Sequence, residues 1–291
     1  MNAQGPFASA AARPESRLCT VYRYSENLAK PHNARMAFLK SWRRKRALAN
    51  TQIDAALWLR VVGRLRFLRG LTADELSRLR ELAILFLDEK ELHGAGGLAI
   101  DDDICLSIAV QACLPILNLG MDAYAGWVGV VVYPDEFIIE HEEMDENGVV
   151  HRFQEGVSGE AWDGGPVVLS WRDASSGSFA GYNVVIHEFA HKLAMSGADD
   201  EGFPLPRSDM DRPQWQDALH AAFQRFTGQV DRGEPTIVDP YASEHPAEFF
   251  AVMSEMFFTS SAVLARDWPE LYAQLTAYYR QDPAGTLTPA S

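Results

Sequence analysis

Cysteine is scarce in this chain, and its positions exclude one common kind of metal site. The 291 residues include three cysteines, Cys19, Cys105 and Cys113, and no two of them form a Cys-x-x-Cys pair. Cysteine-based zinc sites use such pairs, so a site of that kind is excluded. An odd, sparse set also predicts no disulfide framework, which favours a reducing compartment.

Long apolar runs are also absent. No segment approaches the about 18–20 consecutive apolar residues that a membrane-spanning helix needs. The first residues contain no continuous apolar stretch of the kind found in secretory leaders. We therefore expect a cytoplasmic protein that makes no membrane contact.

Positive charge is scarce after residue 46. The formal net charge is −14, and residues 1–46 hold ten Lys or Arg against two Glu, which leaves −22 for the remainder. Phosphate recognition needs basic surface, so the acidic body argues against direct nucleic-acid binding. The basic run from Trp42 to Arg46 can be interpreted as a nucleic-acid or membrane patch, but we favour a solvated, mobile tail.

The order of apolar patterns predicts the fold class. Residues 1–48 show no clear period and are expected to form a basic, flexible N-terminal extension. Helical patterns then precede and follow short strand candidates, at 127–139 with a break at Pro134 and at 166–171. This order predicts one α+β domain of zincin-like architecture over residues 49–284, followed by a flexible tail at 285–291.

Two helix starts can be recognised from local chemistry. Thr72 and Glu75 have the spacing of a capping box ahead of an apolar helical pattern. Asp101, Asp102 and Asp103 precede a second apolar stretch. Three acids in a row are compatible with calcium binding, but acids at a helix N-terminus also cap it and suit its dipole, which we favour.

The strongest chemical signal is His187-Glu188-Phe189-Ala190-His191. On a helix, residues four apart lie on one face, so both imidazoles can reach a single Zn²⁺. Glu188 then lies beside the metal, where it can accept a proton from a water molecule that the metal activates. The surrounding residues are apolar, and buried histidines and a buried glutamate need a partner such as a metal ion.

A catalytic zinc site usually has three protein ligands, and the third is less evident here. No histidine completes a His-x-x-Gly-x-x-His extension. Glu248 begins an apolar helix beside two phenylalanines, where an acid favours a cation, and it shares a helix face with Ala251 and Glu255. The alternative is that Glu248 only offsets the dipole at a helix N-terminus.

Several linked motifs resemble the Mlc titration factor A family of bacterial zinc peptidases, over most of the chain after about residue 45. The motifs are Ile186–Leu193, Asp239–Ser243, Pro246–Glu255, Cys113–Pro115, Val132–Pro134, Gly165–Leu169 and Tyr278–Pro283. The site pattern is also similar to the catalytic domain of anthrax lethal factor. The chain departs from that domain at Val252, where a further glutamate would stand, and Glu255 is a weak substitute for it.

The resemblance carries specific residue roles. It implies that Glu248 is the third zinc ligand and that Tyr241, seven residues earlier, donates a hydrogen bond to the oxyanion of the intermediate. It also matches His151 to a histidine that can occupy the open zinc position and block the resting enzyme. Without the resemblance, Tyr241 would be read as a packing residue and His151 as a solvated loop residue.

The predicted function is hydrolysis of peptide bonds by a metallopeptidase with one Zn²⁺ per chain and Glu188 as general base. The resemblance implies aminopeptidase-like activity on small peptides and binding of the transcriptional repressor Mlc or a similar regulator. We expect the 166–171 strand to pair with an extended peptide substrate. The rival hypothesis is a non-catalytic, zinc-containing protein that binds and sequesters a regulator.

Overall fold

The described part of the chain contains both helices and β-strands. The computed structural model describes residues 34–144, 150–162, 164–175, 181–195, 197–200 and 202–287. Within these ranges the strands form one four-stranded sheet and one two-stranded hairpin, and helices precede and follow them. The α+β fold class predicted from the sequence is confirmed.

Two of the helices in the N-terminal part begin where local chemistry predicted. The helices of this part are α1 (Ala34–Asn50), α2 (Ala55–Arg64), α3 (Ala73–Glu89) and α4 (Asp102–Cys113), with 3-10 turns at Arg66–Leu68 and Met121–Tyr124. Thr72 and Glu75 form the reciprocal capping box that starts α3. Asp101 caps α4 by accepting a hydrogen bond from the backbone N–H of Ile104 at 2.9 Å, which confirms capping.

Helix α1 differs from the expected solvated tail. Its Arg44 side chain donates to Glu89 of α3 at 2.6 Å, and Ala47 is buried. The basic run from Trp42 to Arg46 therefore belongs to a helix packed on α3. The predicted extension also includes residues 1–33, which lie outside the described residues.

The order of strands in the sheet determines which strand could pair with a bound peptide. The strands of the sheet and of the hairpin are β1 (Glu91–Gly94), β2 (Gly129–Tyr133), β3 (Phe137–Met144), β4 (Val150–Val157), β5 (Gly159–Ala161) and β6 (Val167–Ser170). The sheet order is β1-β2-β6-β5; β1, β2 and β6 are parallel, and β5 is antiparallel to β6. Strands β3 and β4 form the hairpin.

The expected pairing of a substrate with the 166–171 strand is wrong. Strand β6 is flanked by β2 and β5, so its backbone groups are already paired on both sides. In the part of the chain that the structure describes, the two edges of this sheet are β1 and β5, and β5 is the edge next to β6. Only an edge strand offers unpaired backbone groups to another chain.

The remaining helices follow β6 in the chain. They are α5 (Trp171–Ser175), α6 (Val184–Ala194), α7 (Arg212–Asp231), α8 (Pro246–Thr259), α9 (Ser261–Asp267), α10 (Pro269–Tyr279) and α11 (Pro283–Leu287), with a 3-10 turn at Pro240–Ser243. Phe189 of α6 lies against Phe86, Tyr124 and Trp127, with ring centroids 5.2–5.6 Å apart. Full burial of such a side chain contributes about 1.5–3 kcal/mol, which fixes α6 in the core.

Two observations bear on the expectations about membrane spans and cysteines. Among the described residues no single helix is long and apolar enough to span a membrane; α8 and α9 pass that test only together, across a bend of 117°. On α4, Cys113 is a buried free thiol.

Candidate metal centre

The site is built on α6, whose first turn is tied into a buried polar network. Asn183 caps the helix by accepting from the backbone N–H of Ile186 at 2.9 Å. The same side-chain amide donates to Gln111 of α4 at 2.8 Å. Its backbone N–H donates to Glu255 of α8. Three elements therefore fix where α6 begins, and with it the direction of the side chains that follow.

Three predicted ligands converge between α6 and α8. The Nε2 atoms of His187 and His191 are 3.1 Å apart. Glu248 places Oε2 3.1 Å from His187 Nε2 and Oε1 3.2 Å from His191 Nε2. Among the described residues, this is the group of His, Cys, Asp or Glu that could hold a metal ion. The two helices thus bring together residues that lie 61 and 57 positions apart.

The donor set fits a divalent cation. Ligands bound at 2.0–2.1 Å in a tetrahedral arrangement are about 3.3 Å from one another, close to the observed separations. Only one of the three contacting groups is an acid, and the two imidazoles expose lone pairs to the same point when neutral. A cation at this point would be bound by two neutral nitrogens and one carboxylate.

Glu255 holds the ring of His187. Its Oε1 lies 2.6 Å from His187 Nδ1, and its second oxygen accepts from the Asn183 backbone. Because Nδ1 is the donor in this bond, the neutral ring leaves Nε2 free for a metal. Glu255 lies two turns after Glu248 on the face that the sequence indicated. The glutamate described as a weak substitute therefore contacts the first metal ligand.

Glu188 lies beneath the edge strand β5. The side chain is 4% exposed. A Cβ placed on Gly159 of β5 would lie 2.4 Å from Glu188 Oε1 and 2.7 Å from Val184 Cγ2, so only glycine permits this approach. Burial is the main cause that raises the pKa of Glu188 to about 8; His187 opposes the rise, and the neighbouring Glu248 and Glu255 contribute to it. Such a carboxyl can exchange a proton near neutral pH.

The close packing of histidines and glutamates shifts the pKa values of the predicted ligands. Burial lowers the pKa of His187, but the flanking Glu248 and Glu255 outweigh it and hold that pKa well above its ordinary value. Burial raises the pKa of Glu248, but hydrogen bonds with His187 and His191 bring it well below its usual range.

The roles of two further predicted site residues, Tyr241 and His151, remain predictions. Tyr241 lies on the 3-10 turn that precedes α8, about half exposed, with its backbone N–H bonded to Asp239 at 2.9 Å. Its catalytic role stays a prediction. His151 lies on β4 opposite Glu143 of β3, but its side chain is outside what the structure describes. Its role as a fourth ligand also stays a prediction.

Sequence reasoning did not identify Asn183, Gln111 or Gly159. Asn183 had a usable signal, because a polar residue directly ahead of an apolar helix is a typical N-cap. Gln111 and Gly159 had none, since their roles depend on contacts with segments 72 and 29 residues away.

Comparison with known proteins agrees with this site. Residues 39–280 match the family model described as glucose-regulated metallo-peptidase M90. The chain is 39% identical over 223 residues to Mlc titration factor A of Salmonella arizonae, covering 75% of this chain and 88% of that protein. The protein of the same name from Salmonella typhi is also 39% identical, with 83% of its length covered.

Proposed function

The chain belongs to the family of glucose-regulated metallo-peptidases M90, and we propose that it hydrolyses peptide bonds with one Zn²⁺ held by His187, His191 and Glu248. The observation that carries this proposal is the convergence of two imidazole nitrogens and a carboxylate at 3.1–3.2 Å beside the buried Glu188. Imidazole ligands favour zinc, since calcium and magnesium prefer oxygen ligands throughout.

Glu188 is the proposed proton carrier. Zinc, when bound, lowers the pKa of a water molecule towards about 7. Glu188 accepts a proton from the attacking water and later donates one to the leaving amine. Its raised pKa, about 8, suits both directions of transfer. Tyr241 is proposed to donate a hydrogen bond to the oxyanion from the turn ahead of α8.

The substrate is proposed to bind along β5. Strand β5 is one of the two edge strands of the described sheet, and it is the one that lies directly over Glu188. An extended peptide added to this edge would form backbone hydrogen bonds with β5. Its scissile carbonyl would then lie near the metal site formed by His187, His191 and Glu248. This replaces β6, which has a partner on each side.

Chelation tests the metal requirement. We expect the purified chain to contain one zinc per molecule and to lose peptidase activity on dialysis against a chelator. Added zinc should restore activity to the wild type, but not to Glu248→Ala, which lacks one ligand. Full activity in a protein shown to be metal-free would contradict the proposal.

Aminopeptidase specificity is the finer proposal. It is supported by the resemblance to zinc peptidases that act on small peptides, and it requires recognition of a free α-amino group. We expect an alanyl chromogenic substrate to be cleaved and its N-acetylated form to resist cleavage. Equal cleavage of both forms would instead indicate an endopeptidase.

His151 is proposed as a fourth ligand that closes the resting site. Replacement by alanine should then leave the zinc content unchanged and increase the initial rate of hydrolysis. An unchanged rate at the same zinc content would rule out this blocking role.

Binding of an Mlc-like transcriptional repressor is a second proposed function. It is supported by 39% identity to relatives named Mlc titration factor A. This role does not require catalysis, so Glu188→Gln should still bind such a repressor. Titration of the purified repressor with wild type and Glu188→Gln, followed by light scattering, would test it; failure of both to form a complex would exclude it.

A further inference from the structure

Lys192 follows the ligand His191 and is buried, with 5% of its surface exposed. Its Nζ donates to the backbone carbonyl of Gly165 at 2.9 Å and also to that of Trp162. The ammonium group lies 5.1 Å from the centroid of the Trp127 ring. A lysine rarely occupies such a place unless its charge is well bound.

The two carbonyls belong to the connection between β5 and β6. Within that connection, the Trp162 N–H donates to the Pro166 carbonyl at 3.2 Å, and the Gly165 N–H donates to the Trp162 carbonyl at 3.0 Å. The connection is therefore a closed turn, and Lys192 bonds to both of its ends. Through these bonds the C-terminal end of β5 is tied to α6.

The N-terminal end of β5 is set by close contact. Gly159 approaches Glu188 and Val184 so closely that no side chain would fit between them. Val184, Glu188 and Lys192 are spaced by four residues and lie in one row along α6. The strand thus follows this row, with the proposed proton carrier at its middle.

We propose that Lys192 is a positioning residue that sets where the edge strand β5 lies relative to Glu188 and the metal ligands. The inference rests on the proposed function, in which β5 receives the peptide. Lys192 touches neither substrate nor metal in this scheme. It acts through the backbone of Trp162 and Gly165, so its loss should affect substrates that extend along β5 more than substrates that do not.

A merely stabilising role is the alternative, and Lys90 provides a matched control. Lys90 is also buried, donates to two backbone carbonyls, of Tyr124 and Trp127, at 2.6 Å, and lies 3.8 Å from the Trp127 ring centroid. Its bonds do not involve the β5–β6 turn. Lys90→Met therefore reproduces the loss of a buried ammonium without releasing β5.

The test compares Lys192→Met, Lys192→Arg and Lys90→Met as full-length, zinc-loaded proteins. Each is assayed with a dipeptide and with an octapeptide that has a free α-amino group, and the products of both are quantified by chromatography. Metal content and hydrogen exchange of fragments covering β5 are also measured. With two charge-assisted bonds lost, we expect Lys192→Met to raise KM for the octapeptide about tenfold or more. The dipeptide KM, kcat and zinc content should change little, and β5 should exchange faster.

Lys192→Arg should raise KM for the octapeptide less than Lys192→Met does, because a guanidinium can donate to both carbonyls. Lys90→Met should lower the melting temperature without a selective effect on the octapeptide or on β5 exchange. The proposal is overturned if Lys192→Met leaves β5 exchange and octapeptide KM unchanged, or if Lys90→Met reproduces both effects. Should the wild type cleave neither substrate, the proposed function fails, and the exchange comparison alone decides whether Lys192 holds β5.

Discussion

Along α6, His187 and His191 face α8, whereas Val184, Glu188 and Lys192 face the edge strand β5. On the first face, the two imidazoles lie 2.6–3.2 Å from carboxylate oxygens of Glu248 and Glu255. The second face is a close backbone approach, which Gly159 permits. Since adjacent residues of a helix are rotated by about 100° from each other, a rigid helix can present metal ligands on one face and position a strand on the neighbouring face. The predictions below alter one face at a time.

The largest expected effect comes from Glu188→Gln, which leaves the metal-binding face intact. General acid–base catalysis contributes about 10²–10⁴-fold, so kcat should fall by that order. Zinc content should remain at one per chain. Parallel metal analysis and initial-rate measurements check this, and loss of zinc together with activity would instead assign Glu188 to the metal-binding face.

Glu255→Gln should perturb the metal-binding face without removing a ligand. An amide can still accept from the Asn183 N–H, but it no longer offers a carboxylate to His187 Nδ1. Loss of such an outer partner typically lowers metal affinity about 10–100-fold. Competition with a zinc-sensitive dye measures this change. Unchanged affinity would show that Glu255 only packs α8 against α6.

Gly159→Ala should perturb the strand-facing side alone. The added methyl group would lie 2.4 Å from Glu188 Oε1, so strand or side chain must move. Overpacking of this kind costs about 1–3 kcal/mol of unfolding free energy, and peptidase activity should fall with zinc retained. Denaturant unfolding and rate measurements test both effects.

Gly63→Ala is the control for that substitution and the smallest expected effect. Gly63 lies in α2, and a Cβ there would meet nothing within 4 Å. Gly63 is in the last turn of α2, so alanine there should stabilise by no more than the about 0.5–1 kcal/mol that applies to a helix interior. Gly159 does not have a positive φ, so a similar loss of stability in both variants would contradict the assignment of this cost to its close approach to Glu188.

The two faces also differ in how far the sequence predicted them. His187 and His191 follow from helical spacing, and the capping box at Thr72 follows from residues three apart, because both are local. Glu248 required two distant helices to pack, and the resemblance to a family indicated it. Strand β5, Gly159 and Lys192 were not predicted. A three-residue strand has too little pattern to recognise, and its contacts with α6 depend on tertiary packing.

Zinc-edge anomalous diffraction from crystals of the wild-type protein tests the central claim most directly. The account predicts one anomalous peak per chain, bounded by His187 Nε2, His191 Nε2 and a carboxylate oxygen of Glu248, and no peak there in Glu248→Ala crystals prepared identically. A fully zinc-equilibrated crystal with no peak between these atoms, or with its peak at other residues, would contradict the account.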